Sequence, residues 1–251
     1  MNIIWIYTLL SVLAVSLVSF VGLLSFGIRA EKLKVILIYF ISFAAGALFG
    51  DAFFHVIPEI AKEQGFEFYV SVYFLLGIII FFLVEKFVHW QHYHSPAISQ
   101  GIKPFAYVNL IGDVVHNFGD GLIIGASYLA SVPVGVATTI AVAFHEIPHE
   151  IGNFSVLLHG GFTRNKALVV NFITALFAVI GALFALILSR FVANTQNILL
   201  PIVAGGFIYI AGSDLIPELH KDEPHTLGKS LLQTLCFVLG MALMALLLVI
   251  G

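Results

Sequence analysis

Charged side chains are scarce in this chain. Lys, Arg, Asp and Glu make up 10% of 251 residues, and 60% of the residues are hydrophobic; a soluble globular domain carries roughly 25% charged residues. Water is therefore not the solvent for most of this surface. Cysteine is scarcer still: the single Cys236 excludes an intramolecular disulfide framework and, lying in an apolar run, reads as packing. A formal net charge of −3 excludes the basic footprint of a nucleic-acid binder. Long polar linkers are missing too, so no separate soluble domain fits between the apolar runs; the longest connection is His89 to Pro104, the next Glu59 to Glu67. The first apolar run has no basic stretch before it and continues to about Gly27, too long for the core of a cleaved signal peptide, which marks it as a retained span.

What is present is a series of apolar runs. A transmembrane helix needs roughly 20 mainly apolar residues, and eight stretches qualify: about 3–27, 35–56, 68–88, 105–129, 133–158, 167–191, 198–216 and 227–250. The expected fold class is an all-α membrane protein, a single polytopic domain over residues 1–251 with eight transmembrane helices. Connections after the odd-numbered spans carry Arg29, Lys32, Lys34, Lys86, Lys103, Arg164, Lys166, Lys221 and Lys229, while the opposite side has only Lys62 and Arg190. With the basic side in the cytoplasm, both termini lie outside it. Gly46-Ala-Leu-Phe-Gly50 and Gly121-Leu-Ile-Ile-Gly125 are GxxxG patterns, which suit close helix contacts in a bundle.

Against this background the fourth and fifth spans are anomalous. The fourth reads GDVVHNFGDG from Gly112 to Gly121, and the fifth reads HEIPHE from His145 to Glu150. His116 and Asp120 are i and i+4, as are His145 and His149, and Glu146 and Glu150, so each helix carries a compact polar strip. Counting from the turn near Ser131, all four of His116, Asp120, His145 and His149 lie roughly 16 to 27 Å away at about 1.5 Å per residue. In an antiparallel pair the two strips overlap near the middle of a hydrocarbon core about 30 Å thick.

One ionised residue at a helix centre costs roughly 2.5–3.5 kcal/mol even on the gentler insertion scales. Several at one depth must solvate one another, line water or bind a cation; carboxylates and neutral imidazoles together suit a divalent metal. Pro148 adds a backbone carbonyl freed near Phe144, tolerated at depth where it lines a cavity. A hydrogen-bonded polar cluster gluing two helices is the plainer alternative; two matched strips favour the metal site.

HNFGDG followed by HEIPHE resembles the paired signature of the Zrt-/Irt-like (ZIP) divalent metal transporters, in the branch whose fifth helix reads HExPHE. The resemblance covers the whole chain, and it implies uptake of divalent metal into the cytoplasm, with Zn2+ as the substrate, through a binuclear midmembrane site. By matching position, it assigns one metal to His116, Asp120, His145 and His149, and a second to Asn117, Asp120, Glu146 and His149. Asp113 and Glu150 stand next to these positions as supports, Glu150 also as a proton acceptor. Span six offers only Asn171 and Thr174 where some bacterial members add a carboxylate. The resemblance further implies a homodimer, an elevator-like movement of spans one, four, five and six, and a multi-pass protein of the cell membrane. The large extracellular domain of many animal relatives is not in this sequence, which points to a prokaryotic plasma or inner membrane.

Three further groups invite a path. Asp51, His55 and Glu59 recur every four residues at the outer end of span two, a candidate entrance. Asp214 and Glu218 do the same at the cytoplasmic end of span seven, a candidate exit followed by His220 and His225. His89, His92 and His94 lie on the cytoplasmic side as a candidate loop metal-binding group, with His159 at the end of span five. Each is also explained by ordinary helix-end polarity, with Trp90 and Tyr93 as interfacial anchors. Two other functions compete. His145-Glu146-Ile147-Pro148-His149 matches the HExxH zinc-peptidase pattern, but Pro148 disturbs the turn, and the second strip exceeds the three ligands of an open catalytic site. A non-transporting metal sensor needs a site but no path. No catalytic residues are expected on the transport reading, and the same ligand set accepts Fe2+, Mn2+ or Cd2+.

Overall fold

The computed structural model describes residues 2–26, 30–94, 104–220 and 226–250. Lys221 and His225 fall outside the described residues, as do the side chains of His89, His92, His94 and Asp214. Helix α1 (Asn2–Ser16) runs into a 3-10 segment, Leu17–Phe26, and α2 (Ala30–Asp51) passes through a π turn, Ala52–Val56, into α3 (Ile57–Gln64). Then come α4 (Phe68–His94), α5 (Pro104–Ala130) and α6 (Val132–His159). Helices α7 (Arg164–Ala175) and α8 (Phe177–Phe191) are two parts of one rod interrupted at Leu176. Helix α9 (Thr195–Tyr209) continues through a second π turn, Ile210–Leu215, into α10 (Ile216–Leu219), and α11 (Leu227–Ile250) ends the described chain. There is no strand among the described residues.

The two π turns have a common cause. Each immediately precedes an Ile-Pro-Glu triplet, Ile57-Pro58-Glu59 and Ile216-Pro217-Glu218. A proline ring inside a regular helix would strike the carbonyl four residues back and leave it without a donor. Widening the preceding turn relieves both problems. The sequence pattern places Asp51, His55 and Glu59 four residues apart along one helical face, and a π turn lies within that stretch.

Packing is inverted relative to a soluble protein. The core is rich in small residues, with Ala44, Ala47, Ala141, Ala178, Ala182 and Ala204 buried, whereas Leu75, Ile79, Leu83, Leu231, Leu235 and Leu239 stand exposed on α4 and α11. Both GxxxG pairs lie at helix crossings: Gly46 and Gly50 against Phe237 and Met244 of α11, Gly121 and Gly125 against Ala178 and Ala185 of α8. Among the described residues, six helical stretches are long and apolar enough to cross a membrane: Ile3–Leu23, Val35–Gln64, Phe68–Lys86, Arg164–Phe191, Thr195–Leu219 and Leu227–Val249. Helices α5 and α6, with 27 and 28 residues, are not among them. They are the two that carry the polar strips.

Candidate metal site

Ser131 sets the geometry of α5 against α6. In an extended conformation, its hydroxyl accepts a hydrogen bond from the Val134 amide at 3.3 Å and caps α6. The chain reverses there, and Gly135 leaves room for the Tyr128 ring, toward which a Cβ would approach within 2.3 Å. Tyr128 is tied in turn to Ser11 of α1 at 2.8 Å. This tight hairpin brings the two strips together at one depth.

Four side chains converge there: His116 and Asp120 from α5, His145 and Glu146 from α6, each offering one ligand atom within 4.8 Å of all the others. His116 Nε2 lies 3.1 Å from Glu146 Oε1, 3.4 Å from His145 Nε2 and 3.8 Å from Asp120 Oδ2. His145 Nε2 lies 3.2 Å from Asp120 Oδ2 and 3.4 Å from Glu146 Oε1. A tetrahedral zinc site with bonds of about 2.0–2.1 Å spaces its ligand atoms about 3.3–3.4 Å apart, so the cage has the dimensions of zinc coordination. Asp120 is fully buried, and apart from the His145 and His116 imidazoles of the cage neither of its oxygens has a hydrogen-bond partner among the described residues. Two carboxylates buried at one depth with only imidazoles beside them are unfavourable, and a divalent cation would remove the penalty.

The remaining site residues surround this cage. His149 stacks on His116 with ring centroids 4.1 Å apart, and its Nδ1 is 3.5 Å from Glu146 Oε1 and 3.8 Å from Asp113 Oδ1. It is the most open of the group, with 29% of its side chain exposed. Glu146 thus occupies the cage position that the resemblance assigns to His149. Asn117 is turned away, its amide donating to the backbone carbonyl of Asp113 at 3.0 Å and to Asp113 Oδ1 at 3.1 Å. The second ligand set implied by the resemblance is therefore not drawn together in this conformation. Glu150 is buried and accepts a short hydrogen bond from Asn171 of α7, whose amide also reaches the Ser19 carbonyl in the 3-10 segment. The Thr174 hydroxyl donates to the Asn171 carbonyl at 2.8 Å, so span six holds the site helices in place without adding a ligand to the cage.

The polar residues nearer the helix ends separate. Asp51 is buried and accepts a hydrogen bond from Thr138 of α6 at 2.7 Å, whereas His55 bonds the Met244 carbonyl of α11 at 2.9 Å. Glu59 pairs with Lys62 at 3.8 Å. Glu218 lines a cavity of about 470 Å³ that also contains Leu33, Leu37, His145, His149 and Ser155. A second cavity, about 170 Å³, lies between α4, α5, α6 and α9 and is lined by Glu85, Asn109, Asp113, His116, His149, Asn153 and Tyr209. Both touch the cage, and both extend toward the end of the bundle holding the start of α2 and α5 and the end of α6. Asn109, Asn153, Glu85, Tyr209 and Thr138 were not expected from sequence. The signal existed for two of them: Asn109 is four residues before Asp113, and Asn153 four after His149.

Apolar helices around an internal cluster of imidazole and carboxylate define a multi-pass membrane protein with a buried set of the ligand types that divalent metals take. The sequence model of the family described as ZIP Zinc transporter matches residues 2–101 and 91–248, and the chain belongs to that family. It is 30% identical to zinc transporter zipt-7.1 of Caenorhabditis briggsae, over 96% of this chain and 78% of that protein. It is 32% identical to zinc transporter YKE4 of Saccharomyces cerevisiae, over 87% and 72%, and 33% identical to zinc transporter ZIP13 of Pongo abelii, over 82% and 65%. ZIP proteins are transporters and not enzymes, which sets aside the peptidase alternative. The geometry gives a physical reason: Glu146, the base of an HExxH peptidase, sits in the cage itself, and His149, its second zinc ligand, stands outside.

Proposed function

We propose that this protein carries zinc into the cytoplasm of its cell, across the cell membrane, through the cage of His116, Asp120, His145 and Glu146. The observation that carries this reading is the ligand spacing of 3.1–3.8 Å among two imidazoles and two carboxylates. The chain crosses the membrane eight times, α5 and α6 included, with both termini outside. Support for the orientation comes from the bias of Lys and Arg toward one side. The two cavities that touch the cage extend toward that same side, while toward the opposite side Asp51 is buried and bonded to Thr138, a contact we read as the outer closure. In this conformation the site thus faces the cytoplasm. Alternation to the outside would move α1, α5, α6 and the α7–α8 rod against the rest, in a homodimer. Access from a cavity is what a mere sensor would not need. Iron, manganese and cadmium fit the same ligand types.

Zinc influx into proteoliposomes tests this: saturable uptake by the wild type that His145→Ala abolishes at equal levels of folded protein supports the pathway. A folded wild type that binds zinc and moves none of several divalent metals would falsify it. Acid should also weaken zinc binding. Imidazole must be neutral to ligate, so protons compete with metal as pH falls from about 7 to about 5. A calorimetric titration across that range should show affinity dropping at each step; a flat profile would exclude histidine ligation. For the outer closure, Thr138→Val leaves a buried carboxylate without its donor, a loss of about 1–3 kcal/mol that should lower the melting temperature. The same change made on top of Asp51→Leu should cost nothing further; additive losses would show that the two side chains are not coupled.

A further inference from the structure

We propose that the protein binds an anionic glycerophospholipid of the surrounding membrane, with one acyl chain in the apolar groove between α2, α6 and α11 and the headgroup held by Lys32 and Lys229. This goes beyond the transport reading and does not depend on it. The groove holds about 390 Å³ and is walled by Ile36, Tyr39, Phe40 and Phe43 of α2, Phe144 of α6 and Cys236 of α11. No polar atom shows on its wall, and an ordered water needs two to four polar partners. At about 30 Å³ for a water-sized group, the space takes about a dozen such groups, most of the methylenes of one acyl chain. Ile36, 42% exposed, stands at the mouth. Phe43, the wall residue farthest along α2, meets Phe144 edge to face with ring centroids 4.7 Å apart.

Charge complementarity names the occupant. Helices α2 and α11 run parallel and in contact, with the Ser42 hydroxyl donating to the Gln233 carbonyl at 2.6 Å and Gly46 against the Phe237 carbonyl. Both therefore start at the same end of the bundle, the end where Arg29, Lys32 and Lys34 stand against one acid, Glu31. Lys32 is four residues before Ile36 and eight before Phe40, so it continues the stripe of the groove by one turn. Lys229, seven residues before Cys236 and on its face, is the only charged residue of α11. Helical side chains lean toward the helix N-terminus, so both lysines reach toward that membrane surface while their stems lie along the apolar wall. From Lys32 to Phe43 the helix rises about 16 Å, half of a hydrocarbon core of about 30 Å and thus the depth of one leaflet. Basic groups between membrane helices on the cytoplasmic side are a recognised site for anionic headgroups. A helix of a second copy, about 10 Å across, is too wide for the groove. Phe144 directly precedes His145, so the seated chain braces α6 beside the cage.

The test uses the full chain in bilayers of phosphatidylcholine and phosphatidylglycerol with identical acyl chains, read by native mass spectrometry of the protein with its retained lipids. The wild type should keep one phosphatidylglycerol per chain, preferred over phosphatidylcholine by about 30-fold, at about fivefold for each lysine near the membrane surface. Lys32→Ala combined with Lys229→Ala should reduce that preference to the bulk proportion. Cys236→Trp fills the groove and should remove the bound lipid of either kind. Ile36→Trp blocks the groove from its exposed mouth, where a large side chain disturbs no packing, and decides the matter should Cys236→Trp fail to fold. A wild type that retains no lipid, or retains the two in bulk proportion, overturns the proposal. So does a folded Ile36→Trp that keeps its phosphatidylglycerol. Loss of a dimer in place of a lipid in that variant would assign the groove to a second copy of the chain and overturn the proposal as well.

Discussion

Asp120→Ala is expected to abolish zinc uptake while the bundle stays folded. The carboxylate is fully buried, and its nearest donor is the His145 imidazole at 3.2 Å, itself a member of the cage, so its removal unties no other helix. Its role is to complete the cage, 3.2 Å from His145 and 3.8 Å from His116. Loss of partners that merely orient a metal ligand costs about 10–100-fold in affinity or activity; loss of a ligand should cost at least about 100-fold in uptake. The measurement is radioactive zinc accumulation in proteoliposomes at matched protein, with melting temperature as the check on folding. Uptake within about twofold of wild type would remove Asp120 from the pathway. A variant with less uptake and a lower melting temperature would mean that Asp120 serves the fold.

The second large effect concerns a residue that touches no metal. Gly121→Val should both destabilise the protein and cripple transport, whereas Gly119→Ala two residues earlier should do neither. A Cβ at Gly121 would lie 1.8 Å from the Ala178 carbonyl oxygen, and one at Gly181 on the facing helix 2.0 Å from that of Phe118. The backbones of α5 and α8 touch, so nothing soft can give way and the helices must part by more than about 1 Å. Overpacking of this kind costs about 1–3 kcal/mol and occasionally more. Because Gly121 follows Asp120 directly, the same displacement moves a ligand by a distance comparable to the tolerance of a metal site. At Gly119 a Cβ meets only the Phe81 ring at 3.6 Å, an ordinary contact, and alanine favours the helix by up to about 1 kcal/mol. Thermal unfolding of the two variants side by side decides the matter: equal melting temperatures would show that the α5–α8 crossing adapts.

The sequence by itself carried what depends on periodicity and composition. Apolar runs of membrane length, the clustering of Lys and Arg on alternate connections, and the recurrence of His116 with Asp120 and of His145 with His149 are all counts along one chain. So is the depth at which the two strips meet, because a helix advances a constant distance per residue. Hydropathy was least informative for α5 and α6, because their polar strips dilute the apolar signal that defines a span. Beyond these counts, the outcome depended on neighbours brought in from elsewhere. The tertiary structure put Glu146 in the cage and left His149 beside it, stacked on His116. It turned Asn117 toward Asp113, paired Glu150 with Asn171, and sent Asp51 to α6 but His55 to α11. The physical reason is that periodicity fixes which face of a helix a residue occupies. Which rotamer it adopts, and whether a proline opens the turn before it, is settled by the atoms packed against that face, and those come from helices distant in sequence.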